Sequence, residues 1–331
     1  MVNQPFYHLR PNKYIDRQMF VNTLIGLNKL LTISDYNYIG FGSFMFDDFK
    51  LIHQKLNIHK MFSVEQDIDI FQRAEYNKPY SCIEIVNKTS TDFIGSFFPS
   101  EEKVIIWLDY TDPREIAAQF SDIGSLLPNL NVHDIVRITL NANPEALGKR
   151  FKPKKAHSER LKELKSRIPD FIPSTIKDDD MAEDKYPIAL LKALERAALK
   201  CLPRTGYSKE YLYPIYSTVY KDGQQMVILT AIILDNKEDE QKIKDSLRSI
   251  PQLSFTWDKP ACINVPLLTE KEAIEIDQLL PLLSIENAMG ILREKYSYLF
   301  NGIDNEEDRS IFLESYINYY RYYPHFHSVN F

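Results

Sequence analysis

Within the first 142 residues, short β-rich runs alternate with stretches of helical periodicity. Two of those runs, VIIWL (104–108) and VRITL (136–140), are apolar on both faces. A strand of that kind is covered above and below, which is the situation of a parallel sheet sandwiched between helices. The pattern predicts strands at 36–43, 60–66, 81–94 with its exit loop, 103–113 and 134–142. Helices are predicted at 18–31, 46–56, 67–77 and 114–127. Parallel neighbours need crossover connections, and right-handed crossovers wind such a chain into a doubly wound α/β layer structure.

Beyond this point the pattern changes. Residues 143–185 are polar and charged, and they contain Pro144, Pro153, Pro169 and Pro173. They read as an inserted arm over one edge of the sheet, with a short helix near 157–167. A strong helix at 187–201 follows, then two β-rich runs (212–221 and 225–235) around Asp222-Gly223, a strong hairpin signal. From 236 the chain is mainly helical. Thr269 and Glu272 have capping-box spacing, and later helices fall near 284–299 and 305–321. The expected division is a domain over 1–235, with the arm at 143–185, and a helical region over 236–331.

A chain of 331 residues with 44% hydrophobic and 26% charged residues is long enough for a large core and excludes a disordered or fibrous class. No run of about 18 apolar residues offers a spanning helix, and the N-terminus lacks the apolar core of a secretory signal. Cys82, Cys201 and Cys262 are too scattered for a disulfide framework or a zinc knuckle, so a reducing cytoplasm is the expected compartment and no metal is expected. Residues 148–167 carry nine Lys/Arg and two Glu, a net +7 within a chain of net charge −6. Lys149, Arg150, Lys152, Lys154 and Lys155 lead that strip. It reads either as a nucleic-acid contact or as a solvated face.

Four loop positions stand at the ends of the predicted strands. Gly40-Phe41-Gly42 follows the first strand, where missing side chains let a ligand approach the backbone. Glu65 closes the second, 23 residues beyond Gly42, and an acid there accepts both hydroxyls of a ribose. Asp92 follows the third. Asp109-Tyr110-Thr111-Asp112-Pro113 follows the fourth, with Asp112 and Pro113 also suited to N-cap and N1 of the next helix. Each position also has a plain structural reading as a turn, a cap or a solvated strand end.

This element order, with its closing antiparallel hairpin, resembles the class I S-adenosylmethionine-dependent methyltransferase fold over roughly residues 10–235 less the arm. The resemblance implies S-adenosylmethionine as cofactor. Gly40 and Gly42 would then pass its methionine part, Glu65 hold the ribose, and Asp92 take the adenine amino group. Lys13, in the charged segment His8–Arg17, would pair with the methionine carboxylate. Asp109 would accept a hydrogen bond from the target group, with Tyr110 as an aromatic wall. Tyr38 and Phe44 depart from the family pattern, which prefers an acid and a third glycine at those places.

The implied activity is methyl transfer to an amino or hydroxyl group, with nucleic acid as one acceptor class. The alternative is a scaffold of the same fold that has lost the reaction and binds a partner. The aromatic C-terminal helices, with Tyr316, Tyr319, Tyr320, Tyr322 and Tyr323, suit packing on the body, on a protein partner or in a homodimer. His325 and His327 read as packing residues rather than metal ligands.

Overall fold

The computed structural model describes residues 10–42, 44–148, 155–202, 209–281, 285–296, 298 and 306–324. Strands β1 (Asn37–Phe41), β2 (Lys60–Val64), β3 (Ile83–Val86), β4 (Val104–Asp109) and β5 (Ile135–Asn141) are followed by β6 (Tyr211–Asp222), β7 (Gln224–Leu234) and β8 (Ala261–Ile263). The sheet order is β3-β2-β1-β4-β5-β7-β6-β8. The pairs from β3 through to β5 are parallel, whereas β7 runs antiparallel to β5, with Ile138 opposite Leu229. The doubly wound sheet with a terminal hairpin is therefore present as expected. Its order reverses between β1 and β4, where a doubly wound sheet opens a crevice at its carboxyl edge.

The helices are α1 (Pro11–Leu27), α2 (Asp47–Leu56), α3 (Ile68–Asn77), α4 (Ser90–Phe97), α5 (Ile116–Leu126), α6 (Ala156–Arg167), α7 (Tyr186–Cys201), α8 (Lys237–Leu247), α9 (Glu270–Asp277), α10 (Ile285–Lys295) and α11 (Glu306–Tyr319). Three features differ from the sequence expectation. Helix α1 starts at Pro11 rather than near 18, because Pro at the first helical position is pre-organised for a helix. The stretch after β3 is not only an exit loop: Thr89 accepts from the Asp92 backbone N–H and starts α4. The 143–185 arm is not merely a polar overlay, since Leu161, Leu164, Ile168, Ile176 and Met181 are buried in the main apolar cluster.

That cluster covers one face of the sheet. Ile39, Ile106, Val136, Ile138 and Leu140 meet Phe120 and Ile123 of α5 and Leu190 and Leu194 of α7. Each such side chain contributes on the order of 1.5–3 kcal/mol by leaving water. The strand alternation sends the intervening residues of β5 the other way. Arg137 is fully buried there. Its guanidinium donates to Tyr216 Oη at 3.0 Å and Thr230 Oγ1 at 2.6 Å, and it lies 4.6 Å from the Trp107 ring centroid. The polar head thus has hydroxyl and aromatic partners within the sheet face.

By compactness the chain divides into a larger unit, Val21–Val219 with Gln224–Ala261, and a smaller unit, Met1–Phe20 with Tyr220–Gly223 and Cys262–Phe331. In the larger unit, α1 approaches α8 closely at Gly26, where an added Cβ would lie 2.5 Å from Leu247 Cδ2. In the smaller unit, Asn12 and the Lys13 backbone N–H both donate to the Asp222 carboxylate, while Asn12 Oδ1 accepts from the Val265 N–H. Tyr316 donates to Asp277, and Tyr323 donates to the Pro266 carbonyl. These two tyrosines of the C-terminal aromatic set therefore pack inward. His325 and His327 lie outside the described residues.

Candidate active site

A cleft of about 200 Å³ opens at the carboxyl ends of the parallel strands in the larger unit, and Gly42, Glu65, Ser90, Asp109 and Tyr110 are on its walls. Its floor depends on the turn after β1. Gly42 has φ +56°, and its N–H is held by the Val64 carbonyl at 2.8 Å. A Cβ on Gly42 would stand 3.0 Å from Glu65 Oε2. The glycine therefore serves both the left-handed backbone and the open space in front of the carboxylate.

Glu65 is held in place by the chain around it. Its Oε1 accepts from the Asp67 N–H at 2.8 Å, and Asp67 in turn caps α3 through the Asp69 and Ile70 N–H groups. Asn87 Nδ2 donates to the Glu65 carbonyl at 2.8 Å and ties the end of β2 to the segment after β3. Burial raises the Glu65 carboxyl above its ordinary value, the nearby Asp67 charge adds to this, and the Asp67 N–H opposes it.

Asp109 ends β4 and is half-buried at the cleft wall, with Tyr110 next to it. The Tyr110 N–H donates to the Thr139 carbonyl, and its hydroxyl donates to Asp122 at 3.1 Å. Burial, followed by the Asp122 charge, pushes the Tyr110 phenol well above its ordinary value. Downstream, Asp112 accepts from the Arg114 N–H at 2.9 Å and Pro113 begins a 3-10 turn, so Asp112 caps while Asp109 remains on the cleft.

The remaining candidates are dispersed. Gly40 lies within β1, and a Cβ there would meet the Phe49 ring at 3.0 Å and the Tyr38 hydroxyl at 3.2 Å. Tyr38, which stands in the family's acid position, donates to Asp48 Oδ2 at 2.5 Å. Phe44, in the third-glycine position, has its ring centroid 3.6 Å from the Arg73 guanidinium carbon. Asp92 is exposed and bonded to Thr89 Oγ1 at 2.8 Å, and it is not on the cleft wall. Lys13 is buried in the first turn of α1, in the smaller unit, where a separate cavity of about 560 Å³ is lined by Arg10, Asn12 and Asp222. Lys149, Arg150, Lys152 and Lys154 lie outside the described residues, while Lys155 is exposed just before α6. Along α6, Lys162 pairs with Glu159 and Arg167 with Glu163.

Sequence reasoning missed Ser90 and Asp122. Asp122 falls on a buried stripe of α5 together with Gln119 and Leu126, and its helical spacing from Leu126 was the one signal in the sequence. Among the described residues, no three His, Cys, Asp or Glu side chains are placed to hold a metal ion, and no helix is long and apolar enough to cross a membrane.

A carboxylate facing the space above a left-handed glycine, at the switch point of the sheet, fits the ribose of a nucleoside cofactor. The cleft's 200 Å³ is smaller than the roughly 300–1,000 Å³ of small-molecule sites, so a bound nucleoside would also run over the rim. Strand order and the position of the cleft are those of the class I methyltransferase fold. The model of a family described as "Putative O-methyltransferase" matches residues 5–331, and the chain belongs to that family.

No curated protein matches the chain. Among solved structures, it is similar to the N-methyltransferase NodS from Bradyrhizobium japonicum in complex with S-adenosyl-L-homocysteine, at 9% identity and TM-score 0.39 over 70% of this chain and 93% of that one. It is also similar to the O-methyltransferase TomG from Streptomyces achromogenes, at 12% identity and TM-score 0.34 over 70% and 92% of the two chains. Spermidine synthase from Thermotoga maritima gives 12% identity and TM-score 0.37 over 66% and 60%. Likenesses at this level carry no information on substrate.

Proposed function

We propose that this chain transfers a methyl group to a hydroxyl oxygen of its acceptor, with Asp109 receiving the hydroxyl proton. The observation that carries this reading is that Asp109 and Tyr110 share one cleft with Gly42 and Glu65. The family's description favours oxygen over nitrogen as the target.

When bound, S-adenosylmethionine supplies an activated methyl group on a sulfonium. The protein's work is then alignment, exclusion of water and care of one proton. Glu65 accepts the ribose hydroxyls, and Gly42 leaves the room for them. Asp109, at the end of β4, orients the acceptor hydroxyl and takes its proton. Tyr110 forms a wall. Its own hydroxyl is committed to Asp122 and its phenol is hard to ionise, so Tyr110 is not the base.

A nucleic-acid acceptor is the finer form of this proposal, and the basic strip at 148–167 supports it. The test is single-turnover transfer of labelled methyl to libraries of hydroxyl-bearing small molecules and nucleic acids. Transfer that disappears in Asp109→Ala supports the reading. Binding of S-adenosylhomocysteine without transfer to any acceptor would favour the non-catalytic scaffold instead.

A further inference from the structure

Three hydroxyl groups converge on the carboxylate of Asp122, which is only 4% exposed. Ser90 Oγ donates to Oδ2 at 2.5 Å, Thr91 Oγ1 donates to Oδ1 at 2.6 Å, and Tyr110 Oη donates to Oδ2 at 3.1 Å. They come from the start of α4 and the end of β4, and the acid comes from α5. Two of the three donors, Ser90 and Tyr110, are also on the cleft wall. The acid itself is not, so it touches the cleft only through them.

An ionised carboxylate can only accept hydrogen bonds. Each hydroxyl that meets it must spend its single proton there, which leaves lone pairs for any other partner. The Asp122 charge also opposes ionisation of Tyr110, so that hydroxyl keeps its proton and keeps donating it. The Ser90 and Tyr110 hydroxyls therefore turn lone pairs toward the cleft, on a wall where Lys88 is a donor whose ammonium is bonded to Ser96 Oγ at 2.8 Å. Asp92, the acid expected to play the acceptor, is instead exposed and occupied with Thr89.

We infer that Asp122 is a positioning residue that sets the hydrogen-bonding polarity of this wall, so that the cleft selects an aminopurine, which presents an N–H donor, over an oxopurine. The inference rests on the nucleoside-cofactor reading above. It goes beyond it by naming what discriminates the base and by assigning that role to a residue that does not touch the ligand. Asp122→Asn would replace an obligate acceptor by a group that also donates, releasing a hydroxyl proton toward the cleft.

The experiment is isothermal titration of wild type, Asp122→Asn and Ser90→Ala with S-adenosylhomocysteine and with its 6-oxo counterpart, S-inosylhomocysteine. Wild type should prefer the amino form by about tenfold or more, and both variants should narrow the preference to within about threefold. A purely structural role for Asp122 would instead weaken both ligands equally. That result, or an unchanged ratio in Asp122→Asn, overturns the proposal. If Asp122→Asn does not fold by circular dichroism, Ser90→Ala decides, and an unchanged ratio there overturns it. No heat from wild type with S-adenosylhomocysteine would sink the nucleoside reading itself, a failure distinct from loss of discrimination.

Discussion

Glu65 Oε2 lies 3.0 Å from the point where a Cβ on Gly42 would stand, so the carboxylate and the missing side chain share one space. Gly42→Ala should therefore damage binding more than folding. The left-handed φ of +56° adds a strain of about 1 kcal/mol, which lowers Tm by a few degrees. The added methyl also crowds the carboxylate, and S-adenosylhomocysteine affinity should fall by about tenfold or more. Calorimetric titration beside a melting curve separates the two effects, and an unchanged affinity would remove Gly42 from the site.

Glu65 titrates above the ordinary glutamate value because it is partly buried. Between the ordinary and the raised value, the folded state holds more protons than the unfolded chain. This group's contribution to stability therefore falls as pH rises through that window. Glu65→Gln should remove that slope and leave the ligand-free protein at least as stable at neutral pH. The same variant should weaken S-adenosylhomocysteine, because the ribose hydroxyls lose a charged acceptor. Melting curves across pH 4–7, with and without ligand, check both signs.

Asp109→Ala should abolish methyl transfer while S-adenosylhomocysteine affinity stays within about threefold, since the group serves the acceptor more than the donor. Asp109→Asn, which keeps an acceptor but cannot take up the proton, should also be inactive at the chemical step. Rapid-quench kinetics with labelled cofactor would expose the opposite result, full single-turnover activity in either variant.

Tyr110 contributes a ring and one hydrogen bond. Tyr110→Phe should lower stability by about 1 kcal/mol, the usual size of a single hydrogen bond, and retain most activity at saturating cofactor. Tyr110→Ala should lower stability by about 3 kcal/mol and remove the wall with it. Chemical denaturation and turnover of the two variants together test whether the ring or the hydroxyl matters.

If the strip at 148–167 meets phosphate, nucleic-acid affinity should fall steeply as salt rises. Reversing Lys152, Lys154 and Lys155 to Glu should flatten the log–log slope by about 0.9 for each phosphate that is no longer neutralised. Fluorescence anisotropy from low to moderate salt measures this. An identical slope in wild type and variant would leave the strip as a solvated face.

The sheet was readable because its signals are local. VIIWL is apolar on both faces, VRITL is apolar on one face and buries Arg137 and Thr139 on the other, and Asp222-Gly223 marks the hairpin, whose turn the structure places at Gly223 with φ +109°. Gly42, Glu65, Asp109 and Tyr110 were readable because each sits at a strand end, which topology alone carries to one edge. Asp122 was not, since its partners Ser90 and Thr91 lie 32 and 31 residues away and no spacing announces them. Helix α4 hid behind its short length, although Thr89 three residues before Asp92 is a cap signal. The buried residues of the arm hid among charges, because Leu161 and Leu164 are isolated apolar positions in a basic helix.

The buried guanidinium of Arg137 makes the β5–β7 pairing intolerant of misalignment. In the native pairing Arg137 stands opposite Thr230 on β7, one of its hydroxyl partners. A slip of β5 by one residue would turn every side chain of that strand to the opposite face. The cation would then enter the apolar layer of Phe120 and Leu190, away from Tyr216, Thr230 and Trp107. Stranding a buried charge in this way costs about 3–5 kcal/mol, a large part of the net stability of a typical domain. The register of this pair is thus fixed by one buried cation as well as by the apolar layer.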